Sequence, residues 1–201
     1  MQERWRPEAG ERGGRPAATT AHELAAVAQR LFLTIGFEKT SIEDIARAAG
    51  ISRRTFFRYF ATKADVLFVE SPAELARLRE GLRQPAPGDP YRAVVTRAVA
   101  AALHVPASEH EWARQRAQLI LTVPALQAHA SLVFAEWRDS AAEFARGLPH
   151  TDELFPLAVG HAVLAGTLAA HEHWITHPGS DLAQVLVRML DLVLPAEPTA
   201  R

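Results

Sequence analysis

The segment SIEDIARAAGISRRTFFRYF, from Ser41 to Phe60, constrains the fold of this chain more than any other stretch. Its first apolar residues, Ile42 and Ile45, recur at helical spacing and predict a short helix with one buried face. Gly50 follows that helix, where a left-handed residue commonly ends a helix, and Ser52 is a suitable N-cap for a second one. The pattern therefore predicts two short helices that cross at a tight turn, which is the helix-turn-helix arrangement.

The second of these helices carries a basic and aromatic outer surface. Phe56 and Phe60 fall on its inner face, and this leaves outside Arg53, Arg54, Thr55, Phe57, Arg58 and Tyr59. An ordinary helical hairpin with a solvated basic face is the alternative. A plain surface helix usually mixes charge signs, whereas this one has three arginines and no acid. We therefore favour a helix that enters the major groove of DNA.

The residues on either side of the helix-turn-helix segment also match a known family. The helix that closes with LFLTIGF and the segment TSIEDIARAAGISRRTFFRYFATKADVL resemble the TetR family of bacterial transcriptional repressors over residues 20–67. The resemblance implies an all-α, TetR-like fold of about nine helices. An N-terminal three-helix helix-turn-helix head would precede a C-terminal helical body for ligand binding and dimerisation.

A second resemblance covers the remainder of the chain. The segments GRPAATTAHEL, ALQAHASLVFAEWRDSAAEFA and VGHAVLAGTLAAHEHW are similar to actinobacterial regulators of the mycofactocin-system type, which carry an acyl-CoA-like ligand-binding domain. This resemblance implies a small apolar or acyl-thioester effector, which the composition does not show. The alternative is a constitutive DNA-binding protein without a small-molecule effector.

Charge is distributed unevenly along the chain. Residues 1–65 hold eleven basic and eight acidic side chains, whereas residues 66–201 hold eleven basic and fifteen acidic ones. A basic N-terminal part on an acidic remainder suits a protein that touches a polyanion with one end only. The expected partners are a double-stranded DNA operator and a second copy of the chain, because two heads read a palindrome as a dimer.

Several function classes find no support in the sequence. It has no cysteine, which excludes disulfides and thiolate sites, and no phosphate loop, nucleophile elbow or paired carboxylates, so we expect no enzyme. His171 and His173 form the tightest histidine pair, but residues two apart on a helix point to different faces, so we expect neither a metal nor a cofactor. Polar residues interrupt the apolar stretches, so we expect no membrane span and a cytoplasmic location.

Proline and glycine clusters divide the helical patterns. Pro72 is expected to kink or restart the fourth helix, and the boundary between head and body falls within that helix. We predict a disordered basic arm (1–19), a helix-turn-helix domain (20–66), a ligand-binding and dimerisation domain (67–194) and a tail (195–201).

The candidate DNA contacts divide by chemistry. The hydroxyls of Thr40 and Ser41 at a helix N-terminus suit phosphate, as does the hydroxyl of Tyr59. Bidentate contact with guanine suits arginine, and contact with a thymine methyl or sugar suits threonine or phenylalanine. The candidates for guanine contact are Arg53, Arg54 and Arg58. The candidates for thymine or sugar contact are Thr55 and Phe57. Each arginine alternatively binds phosphate only.

Two further DNA contacts lie outside the second helix. Lys63 is predicted to contact the DNA backbone, on the resemblance alone. Arg15, in the Arg- and Gly-rich N-terminal segment, resembles an arm that enters a narrow minor groove. A solvated tail is the alternative for that segment.

The body holds the candidates for effector binding and dimerisation. We expect a cavity among helices four to eight, lined by Trp112, Arg116, Leu119, Phe134, Trp137 and Arg138. Arg114, Arg116 and Arg138 suit a carboxylate or phosphate. The resemblance implies a four-helix dimer interface from helices eight and nine, with Gly166, Ala169, Leu182, Val185, Leu186 and Met189 as candidates. Intrachain packing is the alternative for some of these residues.

Overall fold

The computed structural model describes residues 20–197, which form nine α-helices and no strand. The predicted all-α fold is thereby confirmed for this part of the chain. The N-terminal arm, with Arg15, and residues 198–201 lie outside the described residues. The helices are α1 (Ala21–Thr34), α2 (Ile42–Ala48), α3 (Arg53–Tyr59), α4 (Ser71–Arg83), α5 (Tyr91–Ala102), α6 (His110–Thr122), α7 (Pro124–Arg146), α8 (Leu154–Thr176) and α9 (Leu182–Val193).

Side-chain caps fix where the first three helices begin. The Thr20 hydroxyl accepts a hydrogen bond from the Glu23 amide, and the Glu23 carboxylate accepts one from the Thr20 amide. Ser41 and Asp44 form the same reciprocal box on α2, and the Ser52 hydroxyl accepts from the amide of Thr55 on α3. These bonds satisfy amides that an isolated helix end leaves unpaired. The predicted Ser52 cap is confirmed.

The turn between α2 and α3 depends on one glycine. Gly50 has a φ of +67°, a left-handed conformation that side chains with a Cβ rarely adopt. Ile51 then donates its backbone N–H to the carbonyl of Ala46 across the turn. Helix α3 is thereby held across α2, with Phe56 fully buried between the helices and Phe60 nearly so.

A short 3-10 helix, Asp65–Phe68, connects the head to α4, and we call it the junction helix. Thr62 and Asp65 cap it reciprocally: the Asp65 carboxylate accepts from the Thr62 amide, and the Thr62 hydroxyl accepts from the Asp65 amide. The chain then breaks, and α4 starts at Ser71 with Pro72 in its first turn. The predicted restart at Pro72 is confirmed, because proline is tolerated only in that first turn.

The core of the head continues into the body. Val66, Leu67 and Phe68 of the junction helix are buried with the apolar side chains of α1, α2 and α3. Leu126 of α7 belongs to the same cluster, together with Leu119 of α6. Head and body therefore share one apolar contact region rather than meeting through a linker.

Helix α8 is the central helix of the body, and it packs against α6, α7 and α9. By length and composition it is apolar enough to cross a membrane, contrary to the expectation that no stretch would be. A core helix has the same composition, because a helix that is apolar on all sides is normally buried on all sides. Val159, Val163 and Trp174 are buried within the chain, whereas Leu154 and Leu157 remain exposed.

Helices α7 and α8 approach each other most closely at Gly160. A Cβ at this position would lie 2.7 Å from the backbone carbonyl oxygen of Arg138, closer than real contacts allow. Replacement of Gly160 by alanine should therefore force the helices apart and lower the free energy of unfolding by about 1–3 kcal/mol. Urea unfolding would measure this loss.

Gly179 provides the matched control for Gly160→Ala. It lies in the turn after α8, and a Cβ there would meet nothing within 4 Å. Gly179→Ala should leave the free energy of unfolding unchanged or raise it by about 0.4–1 kcal/mol, because the unfolded chain loses freedom. Equal stabilities of the two variants would contradict the close approach at Gly160.

Candidate nucleic-acid interface and ligand cavity

The exposed face of α3 brings together the side chains that the sequence marked for DNA contact. Arg53, Arg54, Phe57 and Arg58 are all exposed, and Phe57 keeps 44% of its surface accessible. Within residues 20–197, the side chain of Arg54 makes no hydrogen bond or ion pair, so its guanidinium is free for an external acceptor. This face has the chemistry that base edges and phosphates require.

The other arginines of α3 are held by neighbours. Arg53 forms an ion pair with Glu43 of α2 at 3.0 Å, and its guanidinium lies 5.4 Å from the centre of the Phe57 ring. Arg58 lies over the ring of Tyr59 and donates to its hydroxyl at 3.2 Å. The Thr55 hydroxyl, half-buried, pairs with that of Ser52. These contacts orient the side chains but leave them at the surface.

The two predicted phosphate contacts at the start of α2 are engaged inside the head. Thr40 is buried, with 1% of its surface exposed, and its hydroxyl donates to the carbonyl of Gly36. Ser41 uses its hydroxyl to cap α2 through Asp44. Each hydroxyl satisfies a local backbone or carboxylate group, and Ser41 is half-buried. The structure therefore does not support these two predicted contacts.

Lys63 makes contacts within the head that the sequence did not predict. Its ammonium donates to the carbonyls of Phe37 at 2.7 Å and Thr40 at 3.1 Å, and it lies 4.3 Å from the centre of the Phe37 ring. A lysine has three N–H donors, and these carbonyls occupy at least two of them. The side chain thus pins the loop between α1 and α2 to the start of the junction helix, instead of reaching toward solvent.

A cavity of about 100 Å³ lies between α4, α6, α7, α8 and the junction helix. One water needs only about 10–15 Å³ on the same measure, so the space suits a larger molecule. Its walls are mainly apolar. Of the predicted lining residues, the structure brings Arg116, Phe134 and Trp137 together on this cavity.

Three predicted lining residues lie elsewhere. Trp112 faces a separate groove, with its ring under the guanidinium of Arg116. Leu119 is buried in the shared core of head and body. Arg138 pairs with its neighbour Asp139. These three residues lie on other faces of α6 and α7. Only a narrow face of each helix lines the cavity, although apolar residues occur on more than one face.

Sequence reasoning missed five cavity residues that matter. Leu67 and Phe68 come from the junction helix, and Glu74 comes from α4. Thr167 and His171 come from α8, one turn apart on the same face. The signal available for the last two was a polar pair at four-residue spacing within an otherwise apolar helix.

The cationic groups of the cavity region are neutralised by partners. Arg116 and Glu74 form an ion pair at 3.1 Å, with only 13% and 14% of their side chains exposed. Arg114 donates to the carbonyls of Trp174 and Pro178 at the end of α8. Arg114, Arg116 and Arg138 therefore each have an acceptor within the chain, although Nη1 of Arg116 has none, and their contact with a carboxylate or phosphate stays a prediction.

His171 is the titratable group of the cavity whose pKa departs from its ordinary value. Burial lowers the pKa of His171, and the nearby positive charge of Arg116 lowers it further. Its Nδ1 lies 2.9 Å from the backbone oxygen of Thr167. Because a carbonyl only accepts, the neutral ring carries its proton on Nδ1 and presents the Nε2 lone pair.

The predicted dimer residues divide into two groups. Gly166 packs against Leu190 and Val193 of the same chain, so that a Cβ there would lie 3.0 Å from both side chains. Leu182 and Leu186 are buried in the body core. These three serve intrachain packing, contrary to the prediction, because the inner faces of α8 and α9 meet each other. The remaining candidates, Ala169, Val185 and Met189, are half-buried.

Other apolar residues of α8 and α9 remain exposed. They are Leu154 and Leu157 on α8, and Val187 and Leu192 on α9, each with at least 41% of its surface accessible. We call these four residues the outer apolar face. Within residues 20–197, no three histidine, aspartate or glutamate side chains converge as metal ligands would.

Comparisons with known proteins identify relatives of both parts of the chain. The family described as "Bacterial regulatory proteins, tetR family" matches residues 18–69, and the one described as "MftR C-terminal domain" matches residues 89–198. A Mycobacterium tuberculosis protein, named for a proposed role as the mycofactocin biosynthesis transcriptional regulator MftR, is 35% identical over 90% of this chain and 93% of that protein.

Two solved structures share the fold. The chain resembles Thermus thermophilus FadR, a TetR-family transcriptional repressor in complex with lauroyl-CoA, with a TM-score of 0.58 and 26% identity. That match covers 90% of this chain and 100% of the other. NalD of Pseudomonas aeruginosa, a repressor of a multidrug efflux pump, has a TM-score of 0.58 at 19% identity over 86% and 93% of the two chains. The second likeness shows the fold alone.

The chain's two lysines allow the role of Lys63 to be tested. Lys63→Met should lower the free energy of unfolding by about 1–3 kcal/mol, because buried loop carbonyls lose a charged donor. Lys39→Met, at an exposed position, should change it by less than about 0.5 kcal/mol. Chemical unfolding would measure both. If Lys63→Met weakened only DNA binding, the side chain would be a phosphate contact after all.

Proposed function

The chain belongs to the TetR family of bacterial transcriptional regulators, and on this premise we propose that it is a ligand-responsive repressor. Two copies bind a palindromic operator through their heads, residues 20–66, and the body, residues 67–194, receives an apolar effector. Regulators of this family are generally not enzymes. The place of action is the cytoplasm, where the bacterial chromosome lies.

The main support for this proposal is that the same side chains line the cavity and pack against the core of the head. Leu67 and Phe68 line the cavity, and both are also buried in the cluster that contains the core of the head. A ligand that displaces these side chains must move the junction helix or the head packed on it. Densely packed side chains transmit such displacements because the interior offers little free volume.

Polar contacts add a second connection between the two parts. The amide of Gln29, buried on α1, donates to the carbonyl of Trp112 on α6 at 2.9 Å. His129 of α7 pairs with Asp65 of the junction helix at 3.1 Å, and its ring contacts that of Phe68. The head therefore changes its orientation only if these contacts rearrange with it.

Release of DNA follows from a difference in affinity. An effector shifts the heads only if it binds one arrangement more tightly than the other. We propose that the arrangement with an expanded cavity places the two α3 helices at a spacing that does not match successive major grooves. Operator affinity then falls because one dimer no longer reaches both half-sites.

An acyl-thioester is the proposed class of effector. The cavity is mainly apolar, and the related FadR structure was solved with lauroyl-CoA. Lauroyl-CoA should raise the melting temperature and release operator DNA over the same concentration range. At a hundredfold excess over Kd the stabilisation should reach about 2.7 kcal/mol. CoA alone is the control and should do neither; stabilisation without DNA release would contradict the coupling.

Arg54 is the proposed base-reading residue of α3. Arg54→Ala should weaken operator binding by about 1–3 kcal/mol, concentrated at one base position, and leave stability unchanged. Arg30→Ala removes an exposed charge from α1 of the same head and serves as the control. Fluorescence anisotropy with operator variants would measure both. A uniform loss over all sequences would assign Arg54 to phosphate.

Helix α8 offers a reason for dimerisation through the outer apolar face. Its apolar residues are distributed on all sides, and a second copy would bury those that its own chain leaves exposed. Regulators of this family act as dimers. We therefore assign the subunit contact to Leu154, Leu157, Val187 and Leu192 instead of to the buried candidates Gly166, Leu182 and Leu186.

Two equally exposed leucines allow a matched test of the dimer contact. Leu192→Glu, on the outer apolar face, should dissociate the dimer, because a buried unpaired carboxylate is costly. Leu132→Glu, on α7, introduces the same charge at a position of 71% exposure against 70% for Leu192. It should remain dimeric. Sedimentation velocity would measure both, and a dimeric Leu192→Glu would contradict the assigned face.

A separate proposal concerns the N-terminal arm, residues 1–19. Its residue Arg15 is proposed to enter the minor groove beside each half-site, where a narrow groove concentrates negative potential. This contact would add salt-dependent affinity without changing the sequence that α3 reads.

A further inference from the structure

The cavity is mainly apolar, and besides Ser71 and Glu74 of α4 it has a polar cluster on its α6 and α8 sides. Thr167 and His171 lie one turn apart on α8, and Arg116 lies on α6 close enough for its charge to affect His171. Within the described part of the chain, two buried donor atoms of this cluster have no hydrogen-bond partner. They are Oγ1 of Thr167 and Nη1 of Arg116, and Nε1 of Trp174, which also lines the cavity, lacks a partner as well.

Unpaired buried polar atoms are costly in a folded protein, and few occur without a reason. Both atoms belong to residues that line the cavity. A ligand with an oxygen at this position would accept from the Thr167 hydroxyl and from the Arg116 guanidinium. The cluster therefore selects a ligand that has a polar atom within its apolar part.

The charge of the cluster excludes a free carboxylate as that polar group. Glu74 already neutralises Arg116 at 3.1 Å, so a second carboxylate would face a negative neighbour without a cation of its own. Arg114 is held by backbone carbonyls at the end of α8. Burial of an uncompensated charge is unfavourable, and a neutral polar group avoids that penalty.

His171 distinguishes among the neutral groups. Its Nδ1 is occupied by the Thr167 carbonyl, so its Nε2 offers a lone pair that can accept a hydrogen bond. A ketone or ester oxygen accepts from Thr167 and Arg116 but has no hydrogen to give to His171. A hydroxyl group accepts and donates at once, so that it satisfies all three side chains.

We propose that the effector carries a hydroxyl group within its apolar part, held by Thr167, Arg116 and His171. The hydroxyl oxygen accepts from Thr167 and Arg116, and the hydroxyl hydrogen is donated to Nε2 of His171. This inference rests on the proposed function, because it describes the same cavity. It adds the chemistry by which the cavity selects among apolar molecules.

Three probes with the same number of heavy atoms test the proposal on the native protein. 1-Decanol accepts and donates, 2-decanone only accepts, and nonanoate is an anion at neutral pH. Isothermal titration calorimetry should show 1-decanol binding about three- to tenfold more tightly than 2-decanone, the difference expected for one hydrogen bond. Nonanoate should bind more weakly than either.

A pair of variants on α8 localises the effect. Thr167→Val keeps the shape of the side chain and removes the hydroxyl, so it should weaken 1-decanol binding about three- to tenfold. Thr176→Val makes the same change at an exposed position, where the hydroxyl contacts the carbonyls of Glu172 and His173 and the ring of His177 at the end of α8. It should leave 1-decanol binding unchanged.

The outcomes separate this proposal from the proposed function. Equal or tighter binding of 2-decanone or nonanoate would overturn the hydroxyl assignment, as would an unchanged affinity of Thr167→Val for 1-decanol. If lauroyl-CoA binds and releases DNA while 1-decanol does not bind, the hydroxyl proposal fails and the proposed function stands. If neither binds, the proposed class of effector fails with it.

Discussion

The apolar packing around the junction helix is the contact on which the rest of the structure depends. Leu67 and Phe68 fill the cluster that includes the core of the head, and the same two side chains form part of the cavity wall. Two independent domains on a flexible linker would separate ligand binding from DNA binding. Here one cluster serves both, because the head alone is too small to bury its apolar surface efficiently. The body therefore stabilises the head and, through the same atoms, controls its orientation.

Polar contacts determine how the packing around the junction helix changes when a ligand binds in the cavity. Lys63 fixes the loop between α1 and α2 to the start of the junction helix, and Gln29 connects α1 to α6. Within the cavity, the ion pair of Glu74 and Arg116 connects α4 to α6. A ligand that contacts Arg116 thus meets a group tied to the helix that follows the junction. The direction of the response depends on which arrangement the ligand binds more tightly.

Local pattern was sufficient to predict α2, α3 and their turn, because Gly50 and Ser52 act within a few residues of their own position. It was not sufficient for Thr40 and Lys63, whose partners depend on how a loop folds back. Gly166 illustrates a third limit: small residues at helical spacing predict a close helix contact but not whether the partner lies in the same chain. Thr167 and His171 line a cavity only because other helices pack opposite α8, and the spacing of residues along α8 does not show which helices those are.

The central claim is that effector binding reorients the two heads of one dimer. The chain has no cysteine, so Arg30→Cys places one spin label on the exposed side of α1 in each subunit. Pulsed electron–electron double resonance then measures the distance between the two labels. The account predicts one narrow distance with operator DNA and a different distance, absent from the DNA complex, with lauroyl-CoA. The same distance distribution in both complexes, under conditions where lauroyl-CoA raises the melting temperature, would contradict it.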